Sequence, residues 1–167
     1  MDKARAVLLV DDDPDALESL QQVIERSGVT CHKAENGPEA LTAIREHPVQ
    51  VIISDHDMPG MDGVELLKIV ATRYPLVSRI LLTARRDAET SVRAINVAQA
   101  YRFISKPCRA GDLLTTLHFA FEAHEHEVEN RRLAAQLRQA QSILNEARRR
   151  APGVIEEIER VQPAPVA

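Results

Sequence analysis

Through its first hundred residues the chain alternates short aliphatic runs with amphipathic stretches. Ala6 to Val10 is apolar at every position, the pattern of a strand covered on both faces. Asp13-Pro14 then offers an N-cap with proline at the first helical position, and Leu17, Leu20, Val23 and Ile24 repeat at helical spacing. Val29 to Ala34 reads as a weaker strand. Pro38 to Glu46 reads as a helix with Ala40, Leu41 and Ile44 on one side, and Val49 to Ser54 as a second strongly apolar strand. The pattern goes on to predict a helix over Val64 to Arg73, a buried strand over Arg79 to Thr83, a helix over Ala88 to Val97 and a fifth strand over Tyr101 to Ser105. Strands alternating with helices at this rhythm predict an α/β fold built on a doubly wound parallel sheet.

After Gly111 neither Gly nor Pro recurs until Pro152. About forty residues are therefore free to form one helix roughly 60 Å long. Leu113, Leu114, Leu117 and Phe121 can cap the sheet. Beyond Glu122 the residues Leu133, Leu137, Ala140, Leu144 and Ala147 alternate at four and three, about two heptads of a coiled-coil seam interrupted upstream by Asn130. These features divide the chain into a globular part over residues 4–122, a helical extension over 123–150 and a mobile tail over 151–167. A polar helix of that length is marginal alone in water. A two-stranded parallel coil with a second copy, a homodimer through residues 123–150, is the expectation; a solvated linker is the alternative.

Composition narrows the function. Five aromatic residues and no Trp leave an aliphatic core and little material for stacking on bases. The formal charge is 21 minus 25, or −4; split at residue 110, the parts carry 14 against 16 and 7 against 9, so each is −2. Neither part is the basic module that a nucleic-acid backbone requires, and no nucleic-acid partner is expected. Cys31 and Cys108 stand far apart, with no CxxC and no His at zinc-ligand spacing, and read as free thiols in a reducing compartment. The five apolar residues from Ala6 to Val10 are too few for a signal-peptide core, and no run approaches a membrane span. A cytoplasmic protein without a membrane partner is expected.

The chemistry gathers at strand ends. Asp11, Asp12 and Asp13 follow the first strand, and Asp55 follows the third. In an open parallel sheet the carboxyl ends of strands border the ligand crevice. Carboxylates converging there repel one another unless a cation lies between them, and a hard, oxygen-seeking ion such as Mg²⁺ fits. Asp13, next to Pro14, is assigned to helix capping instead. His124 and His126 lie two apart on a helix and cannot share a face, so neither a metal nor a phosphohistidine role is assigned to them. His56 touches the site only by adjacency.

Four segments carry a resemblance: Leu9-Val-Asp-Asp-Asp-Pro14, Ile53-Ser-Asp-His-Asp-Met-Pro-Gly-Met-Asp-Gly63, Leu81-Leu-Thr-Ala84 and Phe103-Ile-Ser-Lys-Pro107. Together, in order and at matching spacing, they resemble the receiver domain of bacterial two-component response regulators over about residues 4–122. The resemblance implies a flavodoxin-like strand order 2-1-3-4-5. It makes Asp55 the phosphoacceptor for a histidine kinase. Asp12 and Asp55 become direct Mg²⁺ ligands, Asp11 acts largely through water, and Asp57 gives the metal a backbone carbonyl. Thr83 and Lys106 contact the phosphoryl oxygens, Thr83 and Phe103 form the switch, and a cis bond precedes Pro107. Asp57 and Arg85, two after Asp55 and two after Thr83, flank the path of an attacking water and are expected to tune dephosphorylation through an ion pair. Phe103 stands where Tyr is more frequent, and is expected to serve as both core and switch. Gly63 and Pro59 shape the loop after Asp55.

The implied function is a signalling module rather than an enzyme, limited to self-phosphorylation from a donor and slow autodephosphorylation. Two other readings compete. Asp55-His-Asp57 resembles the Asp-x-Asp start of haloacid-dehalogenase phosphatases, in which the second Asp is a general acid. Those enzymes place that motif after the first strand, however, whereas here the acidic pair comes first. A receiver-derived scaffold that is never phosphorylated is the other, and the intact set Asp11, Asp12, Asp55, Thr83 and Lys106 speaks against it.

Overall fold

Burial on both faces explains the continuous apolar strands. The fold was described from a computed structural model, which covers residues 5–84, 100 and 102–150. In chain order its elements are β1 (Ala6–Val10), α1 (Pro14–Glu25), β2 (Thr30–Ala34), α2 (Gly37–Glu46), β3 (Val51–Asp55), α3 (Gly63–Arg73), β4 (Ser78–Thr83), β5 (Arg102–Ser105) and α4 (Ala110–Arg150). The strands form one sheet in the order β2-β1-β3-β4-β5, with every adjacent pair parallel. This is the order the resemblance implies. The helix expected over Ala88–Val97 and the tail over 151–167 lie outside the described residues.

Alternate residues of each central strand serve opposite layers. Leu8, Ile52 and Leu81 point to one side, where Ala40 and Ile44 of α2 and Leu66, Leu67 and Val70 of α3 cover them. Val7, Leu9, Ile53, Ile80 and Leu82 point to the other, under Leu17 and Ile24 of α1 and Leu113, Leu117 and Phe121 of α4. The strand β5 lies at the edge, and Ile104 is its only buried residue. Phe103 is 43% exposed, which corrects its assignment to the core: its side chain points to the face opposite Ile104, and only Ile104 of this strand is buried.

The cap expected at the first helix is present, and two others were not foreseen. Asp13 accepts hydrogen bonds from the amides of Asp15 and Ala16 at 2.9 and 3.4 Å, with Pro14 opening α1. Asn36 caps α2, which begins at Gly37 rather than Pro38, and Asp62 caps α3. The strand β3 starts at Val51 rather than Val49. The Val49 amide donates to the His47 carbonyl at 2.9 Å, so the backbone is still turning there although the side chain is buried. An apolar run reports burial, and a buried turn residue passes for strand.

The chain divides into two units, Met1–Glu127 and Val128–Ala167. In the first, α4 buries Leu113, Thr116, Leu117, Ala120 and Phe121, and the Ser78 hydroxyl donates to the Ala120 carbonyl at 2.9 Å. In the second, every side chain from 129 to 150 is exposed. Among the described residues no helix is long and apolar enough to cross a membrane.

Candidate functional site

Strand order puts two separated aspartates side by side. Asp11 is the first residue after β1, and Asp55 is the last of β3. The pairing of Val10 with Ser54 brings them into adjacent positions at the carboxyl edge. Carboxylate oxygens of Asp11, Asp12 and Asp55 lie within 4.8 Å of one another; Asp11 and Asp55 are buried and Asp12 is exposed.

Lys106 reaches this cluster from the end of β5. Its ammonium donates to Asp11 Oδ2 at 2.8 Å and lies 2.7 Å from Asp55 Oδ1. Its backbone amide donates to the Thr83 carbonyl at 2.8 Å, so the lysine is anchored to the end of the neighbouring strand. The Lys106–Pro107 peptide is cis, as the resemblance implies. Burial opposes the charge on Lys106, but hydrogen bonds to Asp11 and Asp55 and the charge of both carboxylates outweigh it, and the ammonium pKa is raised above its ordinary value.

The second oxygen of Asp11, Oδ1, accepts from the Asp13 amide at 3.0 Å. Both of its oxygens are thus engaged within the protein, while Asp12 faces solvent. Three carboxylates against one ammonium leave the cluster short of positive charge. An all-oxygen donor set of this kind suits Mg²⁺. The structure therefore brings together Asp11, Asp12, Asp55 and Lys106. Thr83 ends β4, is buried, and lies one residue beyond Leu82, the register partner of Asp55.

Other expected residues stand apart from the cluster. The Asp57 carboxylate is 57% exposed and lies 3.8 Å from His56 Nε2. His56 is more enclosed than adjacency suggested: its Nδ1 is buried without a hydrogen-bond partner among the described residues. Arg85 lies outside the described residues, and so does the expected Asp57–Arg85 ion pair.

The glycines of the loop after Asp55 hold a role that spacing did not specify. Gly60 has φ of 78°, a conformation suited to glycine. A Cβ at Gly63 would collide with the Asp55 carbonyl oxygen and lie 2.9 Å from its carbonyl carbon. The Gly63 amide donates to the His56 carbonyl at 3.0 Å. The start of α3 is thereby pressed against the backbone of β3 at Asp55. The glycine between Asp62 and Val64 was the available signal, but the close approach is a tertiary fact.

Comparison with known proteins agrees with this geometry. The family model of the response regulator receiver domain matches residues 7–118. The chain is 32% identical over 145 residues to the hydrogenase transcriptional regulatory protein HoxA of Cupriavidus necator, covering 87% of this chain and 30% of that protein. It is 36% identical over 133 residues to the C4-dicarboxylate transport transcriptional regulatory protein DctD of Rhizobium meliloti, covering 80% and 29%. Among solved structures it resembles the signal receiver domain of an HD domain-containing protein from Pseudomonas fluorescens, with a TM-score of 0.73 and 35% identity over 77% of this chain and 95% of that one. The chain thus spans under a third of the length of these curated relatives.

Proposed function

Because the chain belongs to the response regulator receiver domain family, we propose that Asp55 accepts a phosphoryl group from a histidine kinase and that the resulting change in conformation is the signal. The observation that carries this reading is Lys106 bridging Asp11 and Asp55 at 2.8 and 2.7 Å beside the exposed Asp12. A carboxylate held this way is a poised nucleophile with a cation already at hand for the charge it will receive.

In the reaction an Asp55 carboxylate oxygen bonds to phosphorus as the phosphorus–nitrogen bond of a phosphohistidine donor breaks, its electron pair going to the ring nitrogen. The product is an acyl phosphate on Asp55. Lys106 exchanges its contact with Asp55 Oδ1 for the phosphoryl oxygens, keeping Asp11 as its second partner. Thr83 donates its hydroxyl to another phosphoryl oxygen. Asp12, Asp55 and the Asp57 carbonyl, with Asp11 beside them, would hold Mg²⁺, which would supply charge neutralisation for the incoming anion. From their positions two after Asp55 and two after Thr83, Asp57 and Arg85 set the acyl phosphate lifetime in this reading, and Arg85→Ala shortens it.

Incubation of the full chain with a small-molecule phosphodonor and Mg²⁺, followed by intact-mass measurement, tests the reading. One phosphate adduct, lost in Asp55→Asn, is expected. No adduct on the native chain would establish the scaffold reading instead, and repeated turnover of a phosphomonoester would establish the phosphatase.

A further inference from the structure

The helix α4 carries its charges in two blocks. Glu122, Glu125, Glu127 and Glu129 precede Asn130 with no Lys or Arg among them, whereas residues 131–150 hold six arginines against Glu146 alone. The stripe of Leu133, Leu137 and Leu144, which are 52%, 64% and 44% exposed, runs within the second block, with Glu127 and Glu129 before its first residue and Arg148, Arg149 and Arg150 after its last. Ala140 and Ala147 complete it at heptad spacing.

A stripe with acid at one end and base at the other is complementary to itself read backwards. We propose that a second copy of the chain covers this stripe in the antiparallel direction, with Leu144 opposite the partner's Leu133, Leu137 over the partner's Ala140, and Arg150 against the partner's Glu129. Each large residue then meets either a leucine or a small alanine, so the layers keep similar thickness along the seam. The parallel coil expected from spacing alone would instead set Ala140 on Ala140. It would also bring Arg148, Arg149 and Arg150 of both copies to one end and the glutamates of both to the other. Like charges gathered across a coil select against that arrangement. The inference does not depend on phosphorylation of Asp55.

Disulfide mapping in the full chain decides it, with Cys31→Ala and Cys108→Ala removing the native thiols. Leu133→Cys and Leu144→Cys are made in separate chains of distinguishable mass, mixed at micromolar concentration and oxidised. The two positions are 144 minus 133, or eleven, residues apart. That is about 16 Å along a helix, far beyond disulfide reach. The antiparallel pairing yields the mixed disulfide and neither homodisulfide. Homodisulfides of each chain would overturn the direction. A native chain that sediments as a monomer, or as a dimer unchanged by Leu137→Glu with Leu144→Glu, would overturn the docking altogether. Leu133, Leu137 and Leu144 are exposed, whereas Cys31 and Cys108 are half-buried against the core, so circular dichroism of each variant, the cysteine-free background included, verifies that the receiver fold is intact.

Discussion

Gly63 packs so closely against Asp55 that no side chain fits between the start of α3 and the carbonyl of the proposed phosphoacceptor. Gly63→Ala must move backbone, because the two nearest obstructing atoms are main chain of Asp55, with Leu81 Cδ1 a further contact at 3.0 Å. Overpacking of this kind costs about 1–3 kcal/mol. The variant is expected to melt several degrees lower and to phosphorylate more slowly than the native chain, measured by thermal unfolding and by the rate of adduct formation. An unchanged rate together with an unchanged melting temperature would contradict the close approach.

Lys106 holds two carboxylates that would otherwise face each other uncompensated. Lys106→Met removes the cation and leaves Asp11, whose side chain is 3% exposed, without it. Loss of one partner of a buried pair is strongly destabilising; discounted for the 30% exposure of the lysine side chain, about 1–3 kcal/mol is expected in the absence of divalent cations. Mg²⁺ should then raise the melting temperature of the variant more than that of the native chain. Equal increments in the two proteins would show that Lys106 and the metal do not share the carboxylates.

Phe103 stands 43% exposed on the edge strand, while Thr83 on the neighbouring strand is buried at 1%. Phosphorylation is expected to draw Thr83 towards Asp55 and let the Phe103 ring turn in beside β4, two packings biased by one charge. The chain has no Trp, so Phe103→Trp installs a single reporter. Its emission should shift to the blue on adding beryllofluoride and Mg²⁺ and stay constant in Asp55→Asn. Emission insensitive to the phosphate mimic would argue against an inward turn.

The rings of His32 on β2 and His47 after α2 stack at 4.0 Å with 13° between their planes. Burial, and secondarily the charge of His47, lowers the His32 pKa from its ordinary 6.5. The unfolded chain then binds more protons than the folded one below that value. Stability from this site is whole above about pH 6.5 and is lost as pH falls through the lowered folded value. The denaturation midpoint should therefore drop between pH 7 and pH 5 by less in His32→Gln than in the native chain. An equal drop would remove His32 from the acid response.

The local sequence determined the elements and the chemistry separately. Ala6–Val10 is strand because five apolar residues in a row must be covered on both faces, and Asp13-Pro14 starts a helix because a short acceptor and a fixed φ satisfy its first turn. Asp11, Asp12 and Asp55 were legible as candidates because carboxylates at the carboxyl ends of parallel strands border the ligand crevice, and Lys106 only through the resemblance. What only the tertiary structure decided is proximity. Val49 looked like strand because burial, not backbone direction, is what an apolar letter reports. Phe103 looked like core because nothing local says that β5 is an edge. Lys106 meets Asp11 across 95 positions of sequence, through the register of neighbouring strands. Gly63 is required by a carbonyl eight residues earlier, 63 minus 55, that folding brings against it. Propensity and periodicity act within a few residues of the chain, whereas the pocket depends on the order in which the sheet assembles its strands.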